Sequence, residues 1–257
     1  MPAAGASPVL TLDIREKRFA STAGGEVVAI RDLAFHVGRG ESVALFGPSG
    51  CGKTTTLNIV AGLDRRFEGT LAFPASAAGG PALGCVFQEP RLLPWRTLER
   101  NVELVLPPAR RGTGIAAGWL ERMGLAEAAG RFPEAVSVGM QRRAALARAF
   151  AVEPELLLLD EPFVSLDQAL AARLRRLLAE TLGRTPDDRP CAVLLVTHDL
   201  REAIELADRI LFLSPAPARV LTEVVVPGRR GERGEREIEA FRRALLDRAE
   251  PVFRAIG

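Results

Sequence analysis

Residues 47–54 read Gly47-Pro48-Ser49-Gly50-Cys51-Gly52-Lys53-Thr54 and match G-x-x-x-x-G-K-[ST] at every fixed position. An apolar run, Ser42-Val43-Ala44-Leu45-Phe46, precedes them. A helix-forming run that includes Thr54 and Thr55 follows, to residue 61. Strand, glycine-rich loop and helix in that order constrain the chain strongly. The glycines let successive backbone N–H groups turn inward, and the start of the helix adds partial positive charge. The loop therefore cradles phosphate. Lys53 is placed to reach the β- and γ-phosphates of a nucleotide, and the Thr54 hydroxyl to ligate Mg²⁺. Cys51, inside the loop, reads as a small residue in a tight turn or as a reactive thiol; position alone does not lower a thiol pKa.

A phosphate loop alone leaves open what acts on the nucleotide. The chain has 257 residues, 47% hydrophobic and 26% charged, enough to bury a sizeable core. Its 34 basic and 32 acidic residues nearly cancel, which argues against nucleic acid as a partner. Three cysteines at unrelated spacings form no metal or disulfide pattern and fit a reducing compartment. No apolar run approaches the ~20 residues that span a bilayer. The first seven residues lack the charged start of a secretory signal and read as a frayed tail. The expectation is a cytosolic chain, free to dock on a membrane protein.

Hydrophobic periodicity orders the rest. Strands are expected over 9–14 and over 26–37, the latter broken near Arg31 and Asp32. A short strand follows at 70–73, a Gly- and Ala-rich loop at 74–81, and another short strand at 84–87 that ends at Gln88. The pattern then turns helical over 98–106, 115–123 and 141–152, with no strand from about 90 to 152. Continuous apolar strands return at 155–160 and 191–197, as suits the buried middle of a parallel sheet. Helices are expected at 168–182 and 199–207, with Asp199 as N-cap or first-turn acid. Closing strands lie at 210–213 and 220–226, and a final helix at 238–248. The reading is one α/β domain over 1–257: a core from 9–89 and 153–226, a helical insertion at 90–152, and a helical tail at 227–257.

Leu156-Leu157-Leu158-Leu159-Asp160-Glu161 completes the chemistry. Asp160, ending a buried strand, can hold Mg²⁺ through water, and Glu161 can polarise an attacking water.

With these residues in view, the chain resembles the ATPases of ABC transporters. The phosphate loop, Asp160-Glu161-Pro162, Ser165-Leu166-Asp167 and Thr197-His198-Asp199 match that family's motifs in order and spacing, and the likeness runs from about residue 9 to 226. It implies a P-loop NTPase core with a mostly parallel sheet, N-terminal antiparallel strands and an inserted helical subdomain. It implies ATP and Mg²⁺ as ligands. Gln88 would touch the metal or the attacking water, His198 would hydrogen-bond the γ-phosphate, Asp167 would organise a dimer interface, and Phe19 would stack on adenine. For Phe19, plain core packing is the alternative.

The family's signature loop, commonly L-S-G-G, here reads Val136-Ser137-Val138-Gly139-Met140. The resemblance implies that Ser137, Val138, Gly139 and Met140 contact ATP held by a second copy of the chain. If the first glycine must be left-handed, Val138 costs activity and leaves a subunit that binds without turnover. If it is ordinary helix entry, Val138 is tolerated. The stretch from Val86 through Gln88, Leu92, Leu93 and Trp95 to Thr97 resembles the ATPases of nitrate, sulfonate and taurine importers. Leu92, Leu93 and Trp95 either receive the membrane subunit or pack the insertion on the core. The expectation is a peripheral subunit on the cytoplasmic face of the membrane, working with permease subunits and, through them, a solute-binding protein. A soluble, non-transport ABC ATPase is the rival reading.

Overall fold

The structure is a computed structural model that describes residues 8–21, 24–74, 81–164, 166, 168–183 and 191–248. Asp167, Ser165, the middle of the loop expected at 74–81, and the expected N-terminal tail lie outside the described residues.

A six-stranded sheet forms the centre. Its strands are β3 (Ser42–Phe46), β5 (Leu83–Val86), β6 (Leu156–Asp160), β7 (Ala192–Thr197), β8 (Arg209–Leu213) and β9 (Val220–Val225), in the order β5-β6-β7-β3-β8-β9. All neighbours pair in parallel except β8 and β9. Every residue of β3, β6, β7 and β8 is buried, because both faces are covered. Alternation splits the leucines of β6: Leu156 and Leu158 face one apolar layer, Leu157 and Leu159 the other.

The first layer holds α1 (Lys53–Val60) and a second sheet, antiparallel in the order β2-β1-β4, made of β1 (Leu10–Ala20), β2 (Glu26–Val37) and β4 (Glu68–Ala72). The other layer holds α2 (Leu98–Glu103), α3 (Ile115–Arg122), α4 (Val138–Ala151), α5 (Gln168–Gly183), α6 (Leu200–Leu206) and α7 (Glu235–Arg248). The apolar cluster on that side runs unbroken from Leu98, Val102 and Leu120 into Leu157 and Leu159. Gly84 on β5 allows α4 to come close: a Cβ there would lie 2.6 Å from the Ala149 carbonyl oxygen.

Three expectations change. β2 is one strand rather than two; Asp32 takes φ 51° and the register to β1 runs on across it. β1 extends to Ala20, beyond the apolar run, since ion pairs of Arg18 with Glu26 and Arg31 with Glu16 replace apolar alternation there. α4 begins at Val138, three residues before the expected start, because the Ser137 hydroxyl caps it by accepting from the Met140 N–H at 3.3 Å.

Candidate functional site

Four adjacent strands, β5, β6, β7 and β3, end on one side of the sheet, and each hands the chain to a residue singled out above. This is the crevice where open α/β sheets bind ligands. After β3 the loop turns through Gly50 (φ 76°) and Gly52 (φ 117°). A Cβ at Gly52 would lie 3.2 Å from the Ala29 carbonyl oxygen and from Ala218 Cβ, so only glycine lets the loop pack against β2. Lys53 is buried, and its Nζ donates to the Gly47 and Pro48 carbonyls at 2.6 and 2.8 Å. Among the described residues no side chain caps the start of α1. Its amides remain available to an anion. Cys51 is buried, and burial pushes its thiol pKa up, which disfavours thiolate reactivity.

Thr54 Oγ1 donates to Asp160 Oδ1 at 3.2 Å. Asp160 is buried, and that burial raises its carboxyl above the usual range against the opposing Thr54 bond. A hydroxyl and a carboxylate side by side form the hard-oxygen donor set that suits Mg²⁺, which takes its remaining ligands from phosphate and water. The next residue, Glu161, takes φ 47° while its N–H donates to the Val196 carbonyl of β7 at 2.9 Å. That unusual backbone turns the Glu161 carboxylate to His198, with Oε1 3.1 Å from Nδ1. Gln88 lies two residues past β5 and is exposed.

Phe19 stands on β1, 41% exposed, so it is not plain core. Lys17 Nζ lies 4.5 Å from its ring centroid. That ammonium is itself buried and held by Asp64 at 2.6 Å and the Arg66 carbonyl at 2.7 Å. Phe19 pairs with Val27 of β2, two residues from the Ala29 carbonyl that abuts the phosphate loop.

At α4, Val138 is the first helical residue, 55% exposed, with no positive φ. The position is ordinary helix entry, which a β-branched residue adopts without strain. A Cβ at Gly139 would meet Leu166 at 3.6 Å, an ordinary contact. Among the described residues no hydrogen bond joins residues 136–141 to residues 47–54. The structure thus gathers Lys53, Thr54, Asp160, Glu161 and His198, and leaves Ser137 to Met140 at a separate helix start.

Two residues that sequence reasoning passed over hold the segment after Gln88. Arg148 of α4 donates to the Pro90 and Arg91 carbonyls, both at 2.9 Å. Asn101 of α2 is fully buried; it accepts from the Leu93 N–H at 2.7 Å and donates to the carbonyls of Leu93, Arg96 and Thr97. An asparagine in the middle of a short helix was the available signal. Leu92 packs on the core, whereas Trp95 is 68% exposed. Leu92 thus helps pack the insertion on the core, and Trp95 is left on the surface.

Comparison with known proteins fits this geometry. The family model described as ABC transporter matches residues 30–164. An aliphatic sulfonates import ATP-binding protein of Burkholderia cenocepacia is 43% identical over 251 residues, 96% of this chain and 89% of that protein. One of Streptomyces avermitilis is 44% identical over 222 residues, 86% and 81% of the two chains. A bicarbonate transport ATP-binding protein of Synechocystis is 39% identical over 216 residues, 81% of this chain and 32% of that protein. A solved dimeric ATP-binding cassette with ADP and Pi superposes with a TM-score of 0.74 at 28% identity, covering 86% of this chain and all of the other.

Proposed function

The chain belongs to the ABC transporter family, and we propose that it is the ATP-hydrolysing subunit of an importer for a small anion, an aliphatic sulfonate first. It binds ATP. One observation carries the reading of the site: Thr54 with Asp160, and Glu161 with His198, converge at the ends of adjacent strands beside the phosphate loop.

Gly47 to Thr55 and the start of α1 hold the phosphates, and Lys53 exchanges its loop carbonyls for phosphate oxygens. Thr54, Asp160 and Gln88 would hold Mg²⁺, which neutralises charge on the transferring phosphoryl group. Glu161 accepts a proton from the attacking water. His198, fixed at Nδ1 by Glu161, presents its other nitrogen to the γ-phosphate. Phe19 receives the adenine ring.

Two copies sandwich two nucleotides, each lying between one phosphate loop and the partner's residues Ser137 to Met140, with Asp167 at the dimer interface. Support comes from the dimeric cassette and from the uncapped start of α1. The core comprises 9–89 and 153–226 and the insertion 90–152, and 227–257 is an accessory tail. Membrane permease subunits, with a solute-binding protein behind them, receive the segment 88–97 around exposed Trp95, on the cytoplasmic face. The names of the relatives support this reading, and no described helix is long and apolar enough to cross a membrane.

Phosphate release by the purified protein, compared with Glu161→Gln, tests the chemistry. The expected loss is about 100-fold or more with ATP binding retained. Equal rates would remove Glu161 as the base. Uptake of an alkanesulfonate against bicarbonate, by the chain with its permease, tests the substrate.

A further inference from the structure

We propose that Glu202 is a positioning residue for hydrolysis: through the Thr197 hydroxyl it fixes the peptide that carries His198. The inference rests on the role given to His198 above.

His198 lies just past the end of β7, where the sheet ladder no longer holds the backbone. Its side chain is 54% exposed and, among the described residues, has one hydrogen-bond partner, Glu161. Glu161 fixes the ring at Nδ1, and the place from which the ring is presented is set by the backbone. Thr197 Oγ1 donates to Glu202 Oε2 at 2.7 Å and accepts from the Asp199 N–H at 3.0 Å. The Asp199 carboxylate accepts from the Arg201 and Glu202 N–H groups at 2.8 and 3.4 Å, starting α6. Glu202 sits in that first turn. Thr197, Glu202, the first turn of α6 and Asp199 thus close a ring, and His198 is the residue in it whose side chain leaves toward the reacting centre.

The arrangement is costly for a merely structural role. Thr197 is 1% and Glu202 9% exposed. A buried carboxylate is unfavourable unless fully bonded. Burial pushes the Glu202 pKa up; the Thr197 bond, Arg175 and His198 oppose that, and Asp199 adds to it. Capping α6 needs only Asp199, which already accepts two N–H groups. The feature that requires Glu202 is the hydroxyl of Thr197.

Misplacing a catalytic group by a fraction of an ångström slows the chemical step and leaves substrate binding alone. Steady-state phosphate release on Glu202→Ala and Thr197→Val should show kcat down about 10-fold with KM for ATP within about twofold. Glu202→Gln and Thr197→Ser, which keep an acceptor and a hydroxyl, should recover most of the rate. His198→Ala should cost about 100-fold, and adding Glu202→Ala to it should cost nothing further. A second 10-fold loss in the His198→Ala background would overturn the proposal, as would a KM rise matching the kcat loss or failure of both conservative variants to recover. A slow His198→Ala beside a fully active Glu202→Ala overturns this proposal alone. Full turnover in His198→Ala removes the role of His198 and this inference with it. Should Glu202→Ala fail to fold, Thr197→Val and its serine counterpart carry the same comparison.

Discussion

Replacing Val138 by glycine restores the residue that the signature loop commonly has and tests whether valine obstructs the site. The backbone at 138 is helical, so glycine relieves no strain there. It adds unfolded-state entropy, and in a helix it lies about 0.5 kcal/mol below valine. With 55% of Val138 exposed, a little under half of the side chain loses its cover, for roughly another 0.5 kcal/mol. The net loss of about 1 kcal/mol lowers the thermal midpoint by about 2–4 °C in a chain of this size. Ser137 still caps the helix, and the Gly139 and Met140 amides keep their places. Turnover should stay within about twofold of the parent, since nothing formed in the transition state changes. The assay is phosphate release against ATP concentration, with a thermal melt on the same samples. A rise in kcat of about 10-fold, or about 1.4 kcal/mol of transition-state stabilisation, would refute the argument and make Val138 a brake.

Three further outcomes follow from contacts around the site. Arg148→Met removes both donors to the Pro90 and Arg91 carbonyls and should cost about 2 kcal/mol, with faster proteolysis within residues 88–97. Asn101→Leu takes the side-chain partner from four groups, of which the Leu93 and Thr97 carbonyls keep backbone donors; a loss of about 2–3 kcal/mol and a shift in tryptophan emission from Trp95 are expected, and an unchanged melt and spectrum would contradict it. Asp64→Asn strands the buried Lys17 ammonium, at about 2 kcal/mol because Asp64 keeps a fifth of its side-chain surface. Burial works to raise the Asp64 pKa, but the Lys17 and Arg66 hydrogen bonds hold it below the usual range. Its stabilisation is therefore present above the unfolded carboxylate pKa and fades as pH falls through the folded one. Chemical melts of parent and Asp64→Asn should converge on acidification; a gap that widens instead would reject the pairing.

Local sequence carried much of this molecule. The strands β3, β6 and β7 are continuous apolar runs, and the phosphate loop, Asp160, Glu161 and His198 sit at their ends, so period and motif located the sheet edge where these residues gather. Where the reading slipped, the local signal conflicted with a tertiary one. Asp32 reads as a breaker, yet its strand continues because β1 pairs on both sides of it. Val138 and Gly139 are poor helix formers, and the Ser137 cap outweighed them. Lys17 is buried although alternation from Leu10, Leu12 and Ile14 puts position 17 on the outer face; the register to β4 shifts between Ile14 and Glu16, and its partner Asp64 is 47 residues away. Arg148 finds its carbonyls 57 and 58 residues away. Such contacts depend on topology, which no window of sequence contains.

The close approach at Gly84 has a mechanical meaning. It seats the far end of α4 close on β5, while the near end presents Ser137 and Val138 to solvent. Fourteen helical residues make a rod about 21 Å long. A tilt of about 5° about the seated end would carry the other end through about 2 Å. Arg148 sits near the seated end, so the same tilt would barely move its grip on Pro90 and Arg91. The two ends of the helix would thus move unequally: far at Ser137, the end proposed above to meet a second copy, and little at Arg148, which holds the segment beyond Gln88.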